Sequence, residues 1–142
     1  LADCAAAAAV AGGDKACEAG CLGYGTCRRV CPVNAIGISD GLARVRPDLC
    51  IGCGRCVAAC PRRIIRLVPA ERRVHVLCSS KAPGAVVRKV CAAGCIGCRL
   101  CVKIAGDAVT MDGFLAVVNY DPPPKNADEV IARCPAKCIR EI

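Results

Sequence analysis

Cysteine is the residue type in this sequence that can carry chemistry, because 16 of the 142 residues are cysteines, about 11%. Cysteine at that density forms disulfides in a secreted chain and binds metal in an intracellular one. Cys50, Cys53 and Cys56 lie within seven residues of one another on a glycine-rich segment. Thiols this close reach a common metal cluster easily but cross-link to one another only with strain. The spacing therefore favours a thiolate-bound metal cluster.

Soft thiolate ligands suit either iron–sulfur clusters or zinc. A zinc site needs only one or two Cys-x2-Cys pairs, whereas three closely spaced thiols with a remote Cys-Pro favour a [4Fe-4S] cubane. Zinc and a disulfide framework are the minor alternatives.

Two runs of four cysteines, each ending in Cys-Pro, predict two such clusters. The second run has the spacing of bacterial-type ferredoxins, in which the fourth cysteine binds the other cluster, and the first run is a stretched version of it. Exchanging the fourth ligands predicts cluster I on Cys17, Cys21, Cys27 and Cys60. The same rule predicts cluster II on Cys31, Cys50, Cys53 and Cys56.

A third cluster is predicted from a later copy of the motif. Cluster III would be bound by Cys95, Cys98, Cys101 and Cys134, the last of which precedes Pro135. The counterparts of the cluster II ligands in this copy are not cysteines; they fall near Ile104 or Ala105, Pro124, Ala127 and Val130. The loss of all four together predicts that one whole cluster was discarded and its site filled with proline and apolar side chains.

Four cysteines are left without an assigned role: Cys4, Cys78, Cys91 and Cys138. Cys91 aligns with Cys17 and competes with Cys98 for cluster III. Cys4 and Cys78 occupy equivalent positions in the two repeats, which indicates a structural role. The main interpretation is that both are buried thiols that pack as small apolar side chains. The sequence contains no nucleophile–base pair, phosphate loop or acid dyad, so we expect electron transfer without a substrate active site of its own.

The cysteine loops are carried by two homologous modules. An offset of 74 residues maps Cys4 onto Cys78, and maps Gly20-Cys21-Leu22-Gly23 onto Gly94-Cys95-Ile96-Gly97. The same offset relates Cys60 and Cys134. We therefore predict modules at residues 1–72 and 73–142, each a small α+β unit organised around [4Fe-4S] clusters.

Short strands and helices are expected around the cysteine loops. Hairpins are predicted at 35–45 around Asp40-Gly41, at 64–77 around Pro69-Ala70-Glu71, and at 108–119 around Asp112-Gly113. Helices are predicted at 5–11 with Asp3 as N-cap, at 54–59 and at 128–133. His75 lies between two valines in a predicted strand, and we expect it to face solvent.

Composition limits both the core and the partners. With one Phe, two Tyr and no Trp, the chain has few large side chains for a hydrophobic core. The formal charge of +8 could indicate nucleic acid, but three oxidised cubanes of roughly −2 each would reduce it to about +2. Aromatic residues that could stack on bases are lacking, no apolar run is long enough to span a membrane, and no secretion signal is recognisable. We expect no nucleic-acid binding, no membrane span and a reducing compartment.

Several longer strings resemble the B subunit of the Rnf complex, the ion-translocating ferredoxin:NAD oxidoreductase. They are Ala11-Gly12-Gly13, Lys15-Ala16-Cys17, Gly20-Cys21-Leu22-Gly23, Leu77-Cys78-Ser79-Ser80-Lys81 and Val86-Val87-Arg88-Lys89-Val90-Cys91 before Gly94-Cys95-Ile96-Gly97-Cys98. The resemblance covers nearly the whole sequence. Members of this family usually also carry an N-terminal membrane helix and a further four-cysteine domain, neither of which is in this sequence.

The resemblance implies an iron–sulfur subunit that relays single electrons from reduced ferredoxin towards flavin and iron–sulfur subunits. It also implies a cytoplasmic location, or a peripheral one on the inner face of the plasma membrane through partner subunits. The alternative is a polyferredoxin relay in a soluble oxidoreductase, such as a hydrogenase or a carbon-metabolism enzyme. A structural metal-binding protein without redox work is the third hypothesis.

Overall fold

The computed structural model describes residues 2–142, which form two compact units. The first unit ends at Val68 and the second runs from Pro69 to Ile142. Both are built from short helices and two-stranded antiparallel sheets, so the predicted α+β class is confirmed. None of the helices within residues 2–142 has the length and apolar character that a bilayer crossing requires.

Within residues 2–68, the first unit contains three helices and one hairpin. Its elements are α1 (Cys4–Ala9), α2 (Thr26–Arg29), β1 (Ile36–Ser39), β2 (Leu42–Val45) and α3 (Arg55–Ala59). Asp40 and Gly41 turn the hairpin with φ of +52° and +72°, as a tight hairpin turn requires. The Asp3 carboxylate accepts the amide of Ala6 at 2.7 Å and caps α1, which confirms the predicted N-cap.

The second unit contains three helices, a hairpin and a further strand pair. Its elements are β3 (Val74–Val76), α4 (Gly84–Val90), α5 (Leu100–Ala105), a 3₁₀ turn (Gly106–Ala108), β4 (Val109–Asp112), β5 (Leu115–Val118), α6 (Ala127–Arg133) and β6 (Ile139–Glu141). β4 and β5 form the predicted hairpin, in which Asp112 pairs with Leu115 and the turn consists of Gly113 and Phe114, one residue later than predicted.

The hairpin predicted at 64–77 is wrong. β3 pairs with β6, so that Val74 lies opposite Glu141 and Val76 opposite Ile139. The two halves of the predicted hairpin belong to different units, because the division falls between Val68 and Pro69. β3 therefore pairs with the last strand of its own unit and not with the segment that precedes it in the sequence.

His75 is half-buried rather than solvated. Its Nδ1 lies 2.7 Å from the hydroxyl oxygen of Tyr120, and the two ring centroids are 5.6 Å apart. Burial lowers the pKa of His75. The histidine therefore joins β3 to the segment after β5.

The two units differ in their apolar interiors. In the first, the cluster of buried residues is small, with Cys4, Ala7 and Leu22 at its centre. In the second, a larger core packs α6 and both sheets around Leu115 and Ile139, each only 1% exposed. The second unit therefore has a conventional hydrophobic core and the first has little of one.

The matched leucines of the two hairpins test this difference. Leu115→Ala should lower the stability of the second unit by about 2–5 kcal/mol, because it opens a cavity at a fully buried site. Leu42→Ala, at the corresponding position in β2, where the side chain is 44% exposed, should change stability by less than about 0.5 kcal/mol. Guanidinium unfolding of the anaerobic holoprotein measures both, and equal effects would contradict the proposed asymmetry.

Candidate iron–sulfur centres

Three loops of the chain have the same length and the same backbone conformation. Each begins and ends with a cysteine, at Cys21–Cys27, Cys50–Cys56 and Cys95–Cys101. In each, the second and fourth residues after the first cysteine have positive φ: Gly23 and Gly25, Gly52 and Gly54, Gly97 and Arg99. Left-handed residues at these positions curl the backbone around one side of the loop. The three loops are therefore structural repeats of one ligand-presenting turn.

Glycine is required where the loop lies against its own hairpin. A Cβ at residue 23 would collide with the carbonyl oxygen of Gly41, and one at residue 97 would lie 3.0 Å from that of Phe114. These partners stand at corresponding places in the two hairpin turns. The loops of both units are therefore held against their hairpins in the same way.

The last cysteine of each loop is the second residue of a short helix. These residues are Cys27 in α2, Cys56 in α3 and Cys101 in α5. Burial raises the pKa of all three thiols, and the amide of the residue that follows each one opposes this by hydrogen bonding to the sulfur. Amide donors to sulfur also tune the potential of a bound iron–sulfur cluster.

Two of the three remote cysteines that precede proline, Cys31 and Cys134, are surrounded by amide donors. The Cys31 sulfur accepts the amide of Ala35 at 3.3 Å, and the amides of Val33 and Ala35 lower the pKa of Cys31. Burial raises the pKa of Cys134, but the amides of Cys138 and Ile139 outweigh it. Both turns therefore stabilise a thiolate, which is the form that binds iron.

In the second unit, all four predicted ligands of cluster III line one recess. Cys95, Cys98, Cys101 and Cys134 share it with Pro135, Cys138, Arg99 and apolar side chains. The recess encloses about 360 Å³, part of it open to solvent. Electrostatic repulsion from the other three thiolates adds to the effect of burial in raising the pKa of Cys101.

Cys138 behaves differently from the four predicted ligands. It is 2% exposed, and its sulfur lies 3.8 Å from that of Cys134. A hydrogen bond between Cys95 and Cys138 lowers the pKa of Cys95 and raises that of Cys138. Cys138 is thus a buried hydrogen-bond partner of two predicted ligands. The 74-residue offset places it where the first unit has Ile64, an apolar position.

In the first unit, a corresponding recess is lined by a different set of cysteines from that predicted. Cys21, Cys27 and Cys60 line it as expected for cluster I, together with Pro61 and Arg62. Within residues 2–142, the remaining cysteine on this recess is Cys4, and Cys17 is not among the lining residues. The recess encloses about 570 Å³, again partly open.

The predicted ligands of cluster II lie nearer the surface. Cys50 and Cys53 are exposed, and their charges add to burial in raising the pKa of Cys56, so the three thiols of this loop are neighbours. The contacts of Cys31 are with the amides of its own turn. The assignment of Cys31 to this cluster stays a prediction.

The donor chemistry of the two recesses fits a cubane. Each recess is lined by at least four cysteine thiols, the number of ligands that one [4Fe-4S] cluster takes. Among the residues that the structure describes, no three His, Cys, Asp or Glu side chains are grouped closely enough to bind a single metal ion.

Sequence reasoning gave Cys4 no role at a site, although a signal for it was present. The offset that maps the other cysteines of the two modules places Cys98 onto Tyr24, so the first loop lacks the middle cysteine of the regular spacing. A loop with one thiol missing calls for a donor from elsewhere in the chain.

Comparison with known proteins agrees with this chemistry. Residues 43–66 match the 4Fe-4S binding domain family. The B subunit of the Na(+)-translocating ferredoxin:NAD(+) oxidoreductase complex of Acetobacterium woodii is 44% identical over 139 residues, which are 96% of this chain and 41% of that protein. The B subunit of the proton-translocating ferredoxin:NAD(+) oxidoreductase complex of Clostridium ljungdahlii is 43% identical over 99% of this chain and 50% of its own length.

A third relative is archaeal. The B subunit of the ion-translocating oxidoreductase complex of Methanosarcina acetivorans is 37% identical over 88% of this chain and 48% of its own length. The chain thus spans about half the length of the curated relatives it matches.

Two cysteines of the second recess should respond differently to substitution. Cys134→Ala should remove about four iron atoms, because a cubane needs its fourth thiolate. Cys138→Ala should keep the iron but lower the reduction potential of one cluster, because it removes a hydrogen bond to a ligand sulfur. Iron analysis and a potentiometric EPR titration measure the two effects. Loss of iron from the Cys138→Ala variant would show that Cys138 is itself a ligand.

Proposed function

We propose that this chain, which is RnfB-like, is an electron-relay subunit of an ion-translocating oxidoreductase complex. The premise is that it is related over almost its whole length to the B subunits of such complexes. In this proposal it accepts single electrons from reduced ferredoxin and passes them to flavin or iron–sulfur subunits. The observation that carries the proposal is the recess of the second unit, where four thiols at ferredoxin spacing meet. This recess presents sulfur ligands and no paired acid and base, as electron transfer without substrate chemistry requires.

The proposed cofactor content is three [4Fe-4S] clusters. Cluster II would be bound by Cys31, Cys50, Cys53 and Cys56, and cluster III by Cys95, Cys98, Cys101 and Cys134. Cluster I would be bound by Cys21, Cys27, Cys60 and one further thiol from the N-terminal part of the chain. The proposal rests on the cysteine spacing and on the two recesses.

The missing fourth cluster is supported by what stands in its place. In the second of the two proposed modules, residues 73–142, Val130 is 1% exposed at the centre of the core, and Ile104 and Ala105 pack against the same core. The Asn126 side chain donates to the carbonyl oxygen of Ile104 at 2.6 Å and ties α5 to α6. Apolar packing thus occupies the region where the first module has the cluster II ligands.

A bound [4Fe-4S] cluster supplies a centre that takes up and releases one electron. The residues of this chain hold it in place, donate amide hydrogen bonds to its sulfurs and control its access to water. Arg62 lines the first recess and donates to the carbonyl oxygens of Gly12 and Cys17, so a fixed positive charge stands beside that site. A nearby cation favours the reduced, more negative state of a cluster.

The proposed content and role can be measured on one anaerobic sample. About 12 iron atoms per chain are expected, with reduction by reduced ferredoxin in one-electron steps seen by EPR. A control with Cys50→Ala should lose about four iron atoms and keep the remaining signals. Zinc in place of iron, or clusters that reduced ferredoxin cannot reduce, would contradict the relay function.

The type of complex needs a separate measurement. Affinity purification from the native membrane fraction should retain subunits with membrane spans and a flavin. Recovery of soluble catalytic subunits instead would favour the relay of a soluble oxidoreductase.

A further inference from the structure

We propose that Cys4, and not Cys17, provides the fourth thiolate of cluster I. The inference rests on the proposed function, because it assumes that the first recess holds a [4Fe-4S] cluster. It changes the ligand set to Cys4, Cys21, Cys27 and Cys60 and makes the N-terminal helix part of the cluster site.

The loop of cluster I lacks one thiol. Its positive φ values match those of the other two ligand loops, so the three can be compared position by position. The middle cysteine is Cys53 in the second loop and Cys98 in the third, and Tyr24 stands there in the first. This loop can therefore present two thiols where the others present three, and with Cys60 a cubane is one ligand short.

The two recesses correspond in almost every lining residue. Offsets of 73 or 74 residues relate Cys21 to Cys95, Cys27 to Cys101, Cys60 to Cys134, Pro61 to Pro135 and Ala43 to Ala116. Of the four predicted cluster III ligands, Cys98 is the exception, because its counterpart in the first unit, Tyr24, does not line the first recess. Cys4 lines the first recess in addition to the three matched cysteines.

Cys4 is held beside the loop by defined contacts. It is the first residue of α1 and is 9% exposed. Its amide donates to Thr26 Oγ1 at 2.9 Å, and Thr26 is the neighbour of Cys27. Ala7, one turn along α1 and fully buried, packs with Leu22 in the same apolar cluster. Helix α1 is thus fixed against the ligand loop at the end that carries the thiol.

Cys4 also neighbours the last cysteine of its loop. Cys4 and Cys21 are both near enough to Cys27 for their charges to act on it, as Cys50 and Cys53 are to Cys56. Cys4 therefore lies beside Cys27 as the middle cysteine of the second loop lies beside Cys56.

Cys17 has a different environment. Its carbonyl oxygen accepts Arg62 at 3.3 Å and the amide of Gly20 at 3.0 Å, so its backbone organises the turn that leads to Cys21. Its repeat counterpart, Cys91, is likewise absent from the lining of the second recess, where four other cysteines already supply the ligands. Because this cysteine position recurs in both units and lines neither recess, we assign it a structural role.

Alanine variants of the two competing cysteines test the assignment. In the anaerobic full chain, Cys4→Ala should lower iron from about 12 to about 8 atoms, or to about 11 if a three-iron cluster remains, with an EPR signal to match. Cys17→Ala should keep about 12 iron atoms. Cys78→Ala, the repeat counterpart of Cys4, should also keep its iron, because Cys98 is present in that unit.

A rescue variant separates ligand loss from misfolding. Tyr24→Cys restores the regular spacing of the loop, so in a Cys4→Ala background it should return the iron content to that of the wild type. The proposal is overturned if Cys4→Ala keeps its iron, if Tyr24→Cys fails to restore it, or if Tyr24→Cys restores iron to a depleted Cys17→Ala variant. A wild-type chain without iron would refute the proposed function itself, whereas any of these outcomes with an iron-replete wild type refutes only the ligand assignment.

Discussion

The structure depends on one backbone constraint, the repeated turn in which two residues of positive φ lie between the cysteines of a ligand loop. That conformation is costly for most residues, and the chain meets it with glycine at five of the six positions, Arg99 being the exception. The turn brings its cysteines to one side and starts a short helix at the last of them. Helices of four to six residues have little stability alone, so the loops need an external anchor.

The two units obtain that anchor from different sources. In the second, α6 and both sheets pack around Leu115, Val130 and Ile139, so apolar burial stabilises the loop from behind. In the first, the buried cluster around Ala7 and Leu22 is small, and Leu42, which corresponds to Leu115, is 44% exposed. Thiolate–metal bonds contribute directly to folding where a core is thin. The unit predicted to keep two clusters is thus the one that has little core, and the unit predicted to have lost one has gained apolar packing.

Features set by local chemistry were predictable from the sequence, and features set by distant contacts were not. The hairpin at Asp40-Gly41, the N-cap at Asp3 and the gathering of Cys95, Cys98, Cys101 and Cys134 follow from turn, capping and spacing rules. The pairing of β3 with β6 could not be read in this way, because the strands are more than 60 residues apart and a nearer partner existed. The position of Cys4 beside Cys27 was missed for the same reason, since helix packing rather than spacing brings it there. The ligand sets themselves stay predictions.

Charge gives a second reason why fold and cofactor belong together. The chain has 20 Lys and Arg against 12 Asp and Glu, so eight positive charges have no carboxylate to offset them. Within residues 2–142 the ion pairs Lys81–Asp112 and Arg133–Glu129 are both exposed. Exposed pairs of this kind contribute little to stability. Three cubanes on twelve thiolates would bring roughly −6 and leave a net charge of about +2. Without its clusters, the chain would lack the interior that the thiolates organise and the negative charge that offsets its arginines. Repulsion among the remaining positive charges destabilises a compact state. Loss of clusters is therefore expected to loosen the first unit more than the second, because the second keeps its apolar core.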